Sequence, residues 1–585
     1  MNNPEGVNTS HMTESDFFDS ASGPSDKLEL TDIHRQIVQS LSNFTTTITE
    51  QQQKLKETLD DTTAITLLIE DKANKLCLVE RSFLYYERLQ EMIITELRNW
   101  RRQQALAANG AQFNEDNLDE IQRCFELLEN FINQLLAAIE GIPKEYEEIA
   151  ELRERMQLAQ KYLLGSALIV VKQPPQVMMT NTRFAVTVRW LLGSQPADSL
   201  NPLTIVCNIF SEWQAKHFVD CQDPHLDVIK CRLSQMGSGE LQNSSSIMEY
   251  QPTKQIFCAN FNNMLLKKIT RSKTDKKNTN SVMDEKFTLF FYATYKLNGN
   301  YVCTWTFSLP VVVIVHSSQE PKSWATIIWD NAFANVLRDP FVVSHYATWL
   351  ELSTALNIKF TACLQRQLTA DNLAFLHEKL MGRRFAYITW NDFCKNPLPE
   401  RTFTFWEWFY SVMKLIKDHL MPLWKANLIT GFITKHRTQF ELLCAEPGTF
   451  LLRFSESKLG GISIAYVNEQ QSVTMLSPWT AQDLRIIKLA DRIRDLPMLR
   501  FLFRIDNKGE SLDRDDAFGQ FYSQSALRSA RTNGYVPSTI HVDVPGNRNL
   551  RSTKNRPPKT DKQELFDAIT GMEFAEDLDS SENFT

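Results

Sequence analysis

The sequence predicts a multidomain protein of mixed α and β class. A helical bundle comes first, then a β-rich domain, a helical connector and a small α+β unit, with polar tails at both ends. Three observations carry this reading. The length of 585 residues exceeds what one hydrophobic core serves and fits roughly three to five domains. The hydrophobic pattern changes along the chain, from spacings of three and four to strict alternation and back. Segments rich in Pro, Gly, Asn and Ser mark most of the changes.

Composition narrows the class. With 43% hydrophobic and 23% charged residues, the chain has the make-up of a folded globular protein. No apolar run approaches the ~18 residues of a membrane span, so none is expected. The first 25 residues are polar and unlike a secretory leader. Ten cysteines are scattered from Cys77 to Cys444 without a C-x-x-C pair, so no metal site or disulfide framework is expected and a reducing cytoplasmic or nuclear setting is. The net charge of −7 is uneven: residues 561–585 hold eight acids against one Lys.

Taken in order, residues 1–26 are polar and unpatterned, an expected disordered segment. Residues 27–168 read as a bundle. Ile33, Ile37, Leu41, Phe44, Ile48, Leu55 and Leu59 recur at helical spacing, as do Phe83, Leu89, Ile93, Leu97 and Trp100. Leu118, Ile121, Phe125, Leu128, Ile132 and Leu135 follow, then Ile149, Leu152, Met156 and Leu163. Breaks at Asn109-Gly110 and Gly141-Ile142-Pro143 make four antiparallel helices. Residues 169–318 alternate as short strands, for example Phe184-Ala185-Val186-Thr187-Val188-Arg189-Trp190, and predict a sandwich or barrel. Their basic loop contains Lys267, Lys268, Arg271, Lys273, Lys276 and Lys277. A solvated surface is the plain reading of it; a nucleic-acid-facing loop or nuclear import signal is the sharper one. Residues 319–424 are helical and dense in Trp, from Trp324 to Trp424, a packed connector.

Residues 425–526 form the α+β unit. Lys435 and Arg437 fall on an opening helix, for which Asn427 or Thr430 is the expected cap, and a later helix is expected over 484–493. Its organising stretch is Gly448-Thr449-Phe450-Leu451-Leu452-Arg453-Phe454-Ser455-Glu456-Ser457, a strand running into a polar turn. Arg453 stands on an apolar strand, where an unpaired guanidinium costs several kcal/mol, so an anion should meet it. An internal carboxylate is one candidate. A phosphate is the other, since the guanidinium fork matches phosphate oxygens and Ser455 and Ser457 add hydroxyls. Beyond the unit, 527–548 carries Asn533-Gly534-Tyr535-Val536-Pro537. The tail at 549–585 is basic, then acidic and hydrophobic by turns, a composition found in transcriptional activation segments and in solubilising tails.

Gly-Thr-Phe-Leu-Leu-Arg-Phe-Ser-Glu-Ser resembles the phosphotyrosine-binding strand and loop of a Src-homology-2 (SH2) domain, and more narrowly that of the STAT family, the signal transducers and activators of transcription. The resemblance runs from about residue 80 to 545. Asn99-Trp100-Arg101-Arg102-Gln103-Gln104, Phe307-Ser308-Leu309-Pro310-Val311, Trp324-Ala325-Thr326-Ile327-Ile328-Trp329, Ile388-Thr389-Trp390-Asn391-Asp392-Phe393-Cys394 and Asp516-Ala517-Phe518-Gly519-Gln520-Phe521-Tyr522 resemble family motifs, in the family's order. It implies a four-helix coiled coil, an immunoglobulin-like DNA-binding barrel, a helical linker and an SH2 domain. It implies a latent cytoplasmic transcription factor that enters the nucleus after phosphorylation of Tyr535 by a tyrosine kinase. The phosphotyrosine would be bound at Lys435, Arg453, Ser455, Glu456 and Ser457 of a partner copy, giving a homodimer on palindromic duplex DNA. A phosphorylated receptor or adaptor and nuclear import factors are the other implied partners. Lys267, Lys268 and Arg271 would meet DNA phosphates, and Gln319 would contact a base in bidentate fashion. His316 stands where the family carries Asn, and the family's N-terminal oligomerisation domain has no match. No kinase Gly-rich loop, Walker loop, H-E-x-x-H or G-x-S-x-G motif occurs, so neither catalysis nor a cofactor is expected. An SH2-containing adaptor that does not bind DNA is the alternative.

Overall fold

The computed structural model describes residues 30–57, 63–140, 147–193, 202–220, 237–271, 283–297, 300–335, 341–382, 387–505 and 510–523. Tyr535, Lys273, Lys276, Lys277 and both tails lie outside the described residues.

The bundle comprises α1 (Leu30–Glu57), α2 (Thr63–Asn109), α3 (Asn117–Glu140) and α4 (Glu147–Gly165). The periodic residues of α3, among them Leu118, Ile121, Phe125, Leu128, Ile132 and Leu135, are all buried, as the threes and fours require. Gly110 ends α2 in the left-handed region at φ 112°. A Cβ there would lie 2.3 Å from that of Ala362, so glycine lets the helix end touch the connector.

The β domain holds β1 (Leu168–Lys172), β2 (Val177–Met179), β3 (Arg183–Trp190), β4 (Thr204–Ser211), β5 (Gly239–Gln242), β6 (Ser245–Gln251), β7 (Ile256–Ile269), β8 (Lys286–Leu297), β9 (Asn300–Phe307) and β10 (Val311–Ile314). Its strand order is β1-β3-β7-β6-β4-β8-β10-β2, with β5 on β7 and β9 on β8. β6 joins the two halves: residues Ser245, Ser246 and Ile247 pair with β4, and Met248 onward with β7. A short helix, α5 (Glu212–Asp220), interrupts the strands at a place where only strands are expected.

The connector consists of α6 (Glu320–Phe333), β11 (Tyr346–Ala347), α7 (Trp349–Leu364), α8 (Ala370–Met381), β12 (Ile388–Thr389), α9 (Trp390–Cys394), α10 (Phe405–Leu415), a π turn (Ile416–Leu420) and α11 (Met421–Lys425). Thr348, Thr369, Thr389 and Thr404 each form a capping box with the residue three places on, which satisfies the first amides of these helices.

The last unit is a sheet of order β15-β14-β13-β17-β18, with β16 on β14. Its strands are β13 (Thr449–Phe454), β14 (Gly461–Val467), β15 (Val473–Met475), β16 (Trp479–Thr480), β17 (Phe501–Arg504) and β18 (Glu510–Asp513). Around it lie α12 (Lys435–Leu442), α13 (Ala481–Ile486), α14 (Leu489–Arg494) and α15 (Arg514–Phe518), the α+β arrangement expected of an SH2 domain. Two local expectations are corrected. Thr434, not Asn427 or Thr430, caps α12, its hydroxyl accepting from the Arg437 amide at 3.1 Å. The helix expected over 484–493 is two helices, because Ile487 is extended at φ −135° and ψ 127°.

The alternation of β13 sorts its side chains into two cores. Phe450, Leu452 and Phe454 join Trp406, Trp408, Trp424 and Phe432 of the connector side; Leu451 packs with Ile433, Leu442 and Ala465 on the other face. Connector and SH2 unit therefore share one continuous core.

The Asn99–Gln104 motif of α2 welds bundle, β domain and connector together. Arg101 donates to the Leu168 carbonyl at 3.2 Å and to Thr306 Oγ1 at 3.1 Å. Arg102 donates to the carbonyls of Asn331 and Ala332 at 3.1 and 2.6 Å. Below them Asn331, fully buried, donates through Nδ2 to Asn109 Oδ1 at 3.2 Å and to Gln176 Oε1 at 2.8 Å. A second brace is Arg189 of β3, buried at 7% exposure, which reaches Gln122 and Asp119 of α3. Among the described residues no helix is long and apolar enough to cross a membrane, and no His, Cys, Asp and Glu cluster suits a metal ion.

Candidate functional site

Arg453 sits on the central strand, opposite Ser463 of β14 and bridged on its other side by Gly431. It is 5% exposed. Its Nε donates to the Ile433 carbonyl at 3.1 Å, and its outer nitrogen pairs with the Glu456 carboxylate. The folded chain thus supplies the internal anion that the sequence reading offered as one candidate. A buried guanidinium cannot stay unpaired cheaply, and a Glu three residues on, past the strand end, reaches it. An anion arriving from outside must exchange with Glu456 rather than fill a void.

The Ser455 and Ser457 hydroxyls stand 3.3 Å apart, and the amides of Ser457 and Lys458 point at Ser455 Oγ at 3.3 and 3.1 Å. Lys435 is exposed in the first turn of α12, two residues beyond the Ile433 carbonyl that holds Arg453. Arg453, Ser455, Glu456 and Ser457 thus lie together at the end of β13, and Lys435 opens the helix that follows Ile433.

Sequence reasoning missed the connector's share of this site. Trp408 Nε1 donates to the Ser455 carbonyl at 2.7 Å, and Arg401 Nε to the Glu456 carbonyl at 3.0 Å. Two places before Trp408, Trp406 Nε1 donates to the Pro321 carbonyl at 2.6 Å, just beyond the turn that follows β10. Helix α10 thus ties the turn after β13 to the start of α6. The only sequence signal was the density of Trp, which reads equally well as packing.

The expected DNA-facing residues divide. Lys267 and Lys268 are exposed near the end of β7, with Glu240 of β5 opposite Lys268 in register. Arg271 is instead turned inward: NH1 pairs with Glu285 at 2.8 Å and NH2 donates to the Val313 carbonyl at 2.7 Å. That bond lays the basic edge beside the end of β10, which leads into exposed Val315 and His316. Gln319 closes the next turn, its Oε1 accepting from the amides of Val315 at 2.8 Å and His316 at 3.3 Å. Its carbonyl is thereby committed, leaving the amide nitrogen as donor.

Comparison with known proteins agrees with this layout. Residues 25–164 match the family model "STAT transcription factor, coiled-coil domain", and residues 172–314 match "STAT protein, DNA binding domain". Residues 336–409 match "Signal transducer and activator of transcription, linker domain", and 428–499 match "SH2 domain". A Drosophila melanogaster signal transducer and transcription activator is 50% identical over 580 residues, covering 95% of this chain and 76% of that protein. An Anopheles gambiae protein of the same description is 36% identical over 479 residues, covering 77% of this chain and 64% of its own length. The chain belongs to the STAT family of signal transducers and activators of transcription.

Proposed function

We propose that this chain is a phosphotyrosine-switched transcription factor. A tyrosine kinase phosphorylates Tyr535, and the pocket of one copy grips the phosphotyrosine of another. Lys435, Arg453, Ser455 and Ser457 hold the phosphate, with Glu456 giving way to it. A dianion supplies two charges where the neutral phenol supplies none, which makes the switch electrostatic. Reciprocal exchange closes at a two-fold dimer, and two grips made together raise the effective concentration of each. The dimer moves from cytoplasm to nucleus and clamps palindromic duplex DNA. Lys267 and Lys268 meet phosphates, and His316 and Gln319 approach bases. Phosphorylated receptors or adaptors and nuclear import factors are the remaining partners.

The observation that carries this reading is the buried Arg453 beside a two-hydroxyl turn, its neutralising carboxylate partly open to solvent at 28%. Charge reversal at Lys267 and Lys268 tests the DNA side. The double substitution Lys267→Glu, Lys268→Glu should weaken duplex binding of the phosphorylated protein. It should also reduce the salt slope of log K by about 3.6, close to 0.9 for each of the four phosphate contacts the dimer loses. Phosphopeptide binding should hold. The committed Gln319 carbonyl and His316 favour a second reading, an SH2 adaptor that leaves DNA alone. Unchanged duplex affinity and slope in the charge-reversed protein would favour that one.

A further inference from the structure

Around the Arg453–Glu456 pair the fold holds more cations than carboxylates. Lys379, on α8 of the connector, lies with Nζ 4.4 Å from the centre of the Trp408 ring and 5.9 Å from that of Phe375. Among the described residues it makes no hydrogen bond or ion pair. Burial pulls its pKa down to about 8; Glu456 works against that fall, while Arg401 and Arg453 add to it. The Trp408 ring that Lys379 lies against carries the indole nitrogen that donates to the Ser455 carbonyl, so the ammonium stands beside the turn that holds Glu456. The main chain of the turn is fixed from behind by Trp408 at Ser455 and by Arg401 at Glu456. The Glu456 carboxylate is the part left to move. An ammonium held against aromatic rings without a carboxylate is a costly arrangement, and here it stands beside a carboxylate engaged elsewhere.

We propose that Glu456 is a movable placeholder, which neutralises Arg453 until a phosphate monoester arrives and then passes to Lys379. Lys379 is thereby a positioning residue of a pocket shared between connector and SH2 unit. The proposal rests on the phosphotyrosine reading of that pocket. A phosphate dianion and a carboxylate on one guanidinium repel each other, so Glu456 must leave Arg453. Lys379 offers it a second cation without a trip into water. Occupancy of Arg453 by Glu456 lowers the apparent affinity for phosphate, as any competing internal state does, and Lys379 lessens that competition.

Calorimetric titration of the full chain with a phosphotyrosyl peptide copying residues 531–540 tests this. Glu456→Gln should tighten binding, by ~3- to 10-fold, because the competitor is gone. Lys379→Gln should loosen binding by a similar factor in the unaltered chain but change nothing in the Glu456→Gln background. Lys379→Arg, which keeps the charge, should restore the affinity. Equal loosening in both backgrounds would overturn the proposal, since Lys379 would then act on phosphate directly or on folding alone. Weaker binding by Glu456→Gln would overturn it as well. Undiminished binding by Arg453→Ala would instead sink the pocket reading on which the proposal rests.

Discussion

Replacing Asn331 with Leu tests the weld between bundle, β domain and connector. The two side chains are similar in volume, so the change isolates the polar contribution. In the native chain Asn331 Nδ2 serves Asn109 Oδ1 and Gln176 Oε1. Its own Oδ1 accepts from Gln176 Nε2 at 3.1 Å. After substitution the Gln176 nitrogen keeps the Pro310 carbonyl at 3.0 Å, and the Asn109 nitrogen keeps Ile328 at 3.0 Å. Two buried acceptors are stranded, at ~1–3 kcal/mol each, for a total of ~2–6 kcal/mol. In a cooperative unit of a few hundred residues each kcal/mol moves the melting temperature by ~2 °C. Differential scanning calorimetry should therefore show the transition containing the β domain lowered by ~4–12 °C. Gln176→Leu should cost a similar amount, and the double variant less than the sum, because both remove the same bonds. Strict additivity, or an unmoved transition, would refute the reasoning.

Three further outcomes follow from the structure. Burial, reinforced by Glu126, lifts the Glu129 carboxyl from 4.5 to about 7. Its folded pKa stands above its unfolded one, so this group weakens the fold as pH rises from about 4.5 to about 7. Glu129→Gln should then stabilise the bundle by ~1–2 kcal/mol at pH 8, after discounting for partial exposure, and by almost nothing at pH 4; urea titration at the two pH values reads the difference. Trp408→Phe deletes the indole donor to Ser455 and should cost the SH2 unit ~1–3 kcal/mol, visible as a lower denaturant midpoint with weaker phosphopeptide binding. Gly431 has φ 76°, and a Cβ there would meet the Phe454 ring at 2.6 Å. Gly431→Ala should destabilise by ~2–4 kcal/mol from left-handed strain and overpacking, measured by the same titration.

Much of this architecture was legible because it rests on local periodicity. The threes and fours of α3 and the alternation of β3 and β13 report their buried faces directly, and the wording around Arg453 marks the central strand of the SH2 unit. What stayed hidden depends on long-range partners. Asn99–Gln104 stands out as a motif, but what Arg101 and Arg102 hold is set by Leu168, Thr306, Asn331 and Ala332, which arrive from distant segments. Arg271 looks like its basic neighbours, yet Glu285 and the Val313 carbonyl draw it inward. The commitment of Gln319 to its own turn follows from the geometry after β10, which residue type alone does not encode. The break at Ile487 was hidden for a different reason: Ile486, Leu489, Ala490 and Ile493 stand at helical spacing, so the apolar pattern runs straight across it.

The central claim is that a phosphorylated Tyr535 from one copy displaces Glu456 from Arg453 in another. The most direct measurement is light scattering on the full chain before and after quantitative phosphorylation of Tyr535, with Arg453→Ala in parallel. Phosphorylation should double the molar mass of the unaltered chain and leave that of Arg453→Ala unchanged. A phosphorylated chain that keeps the mass of a single copy, or an Arg453→Ala chain that dimerises as well as the native one, would contradict it.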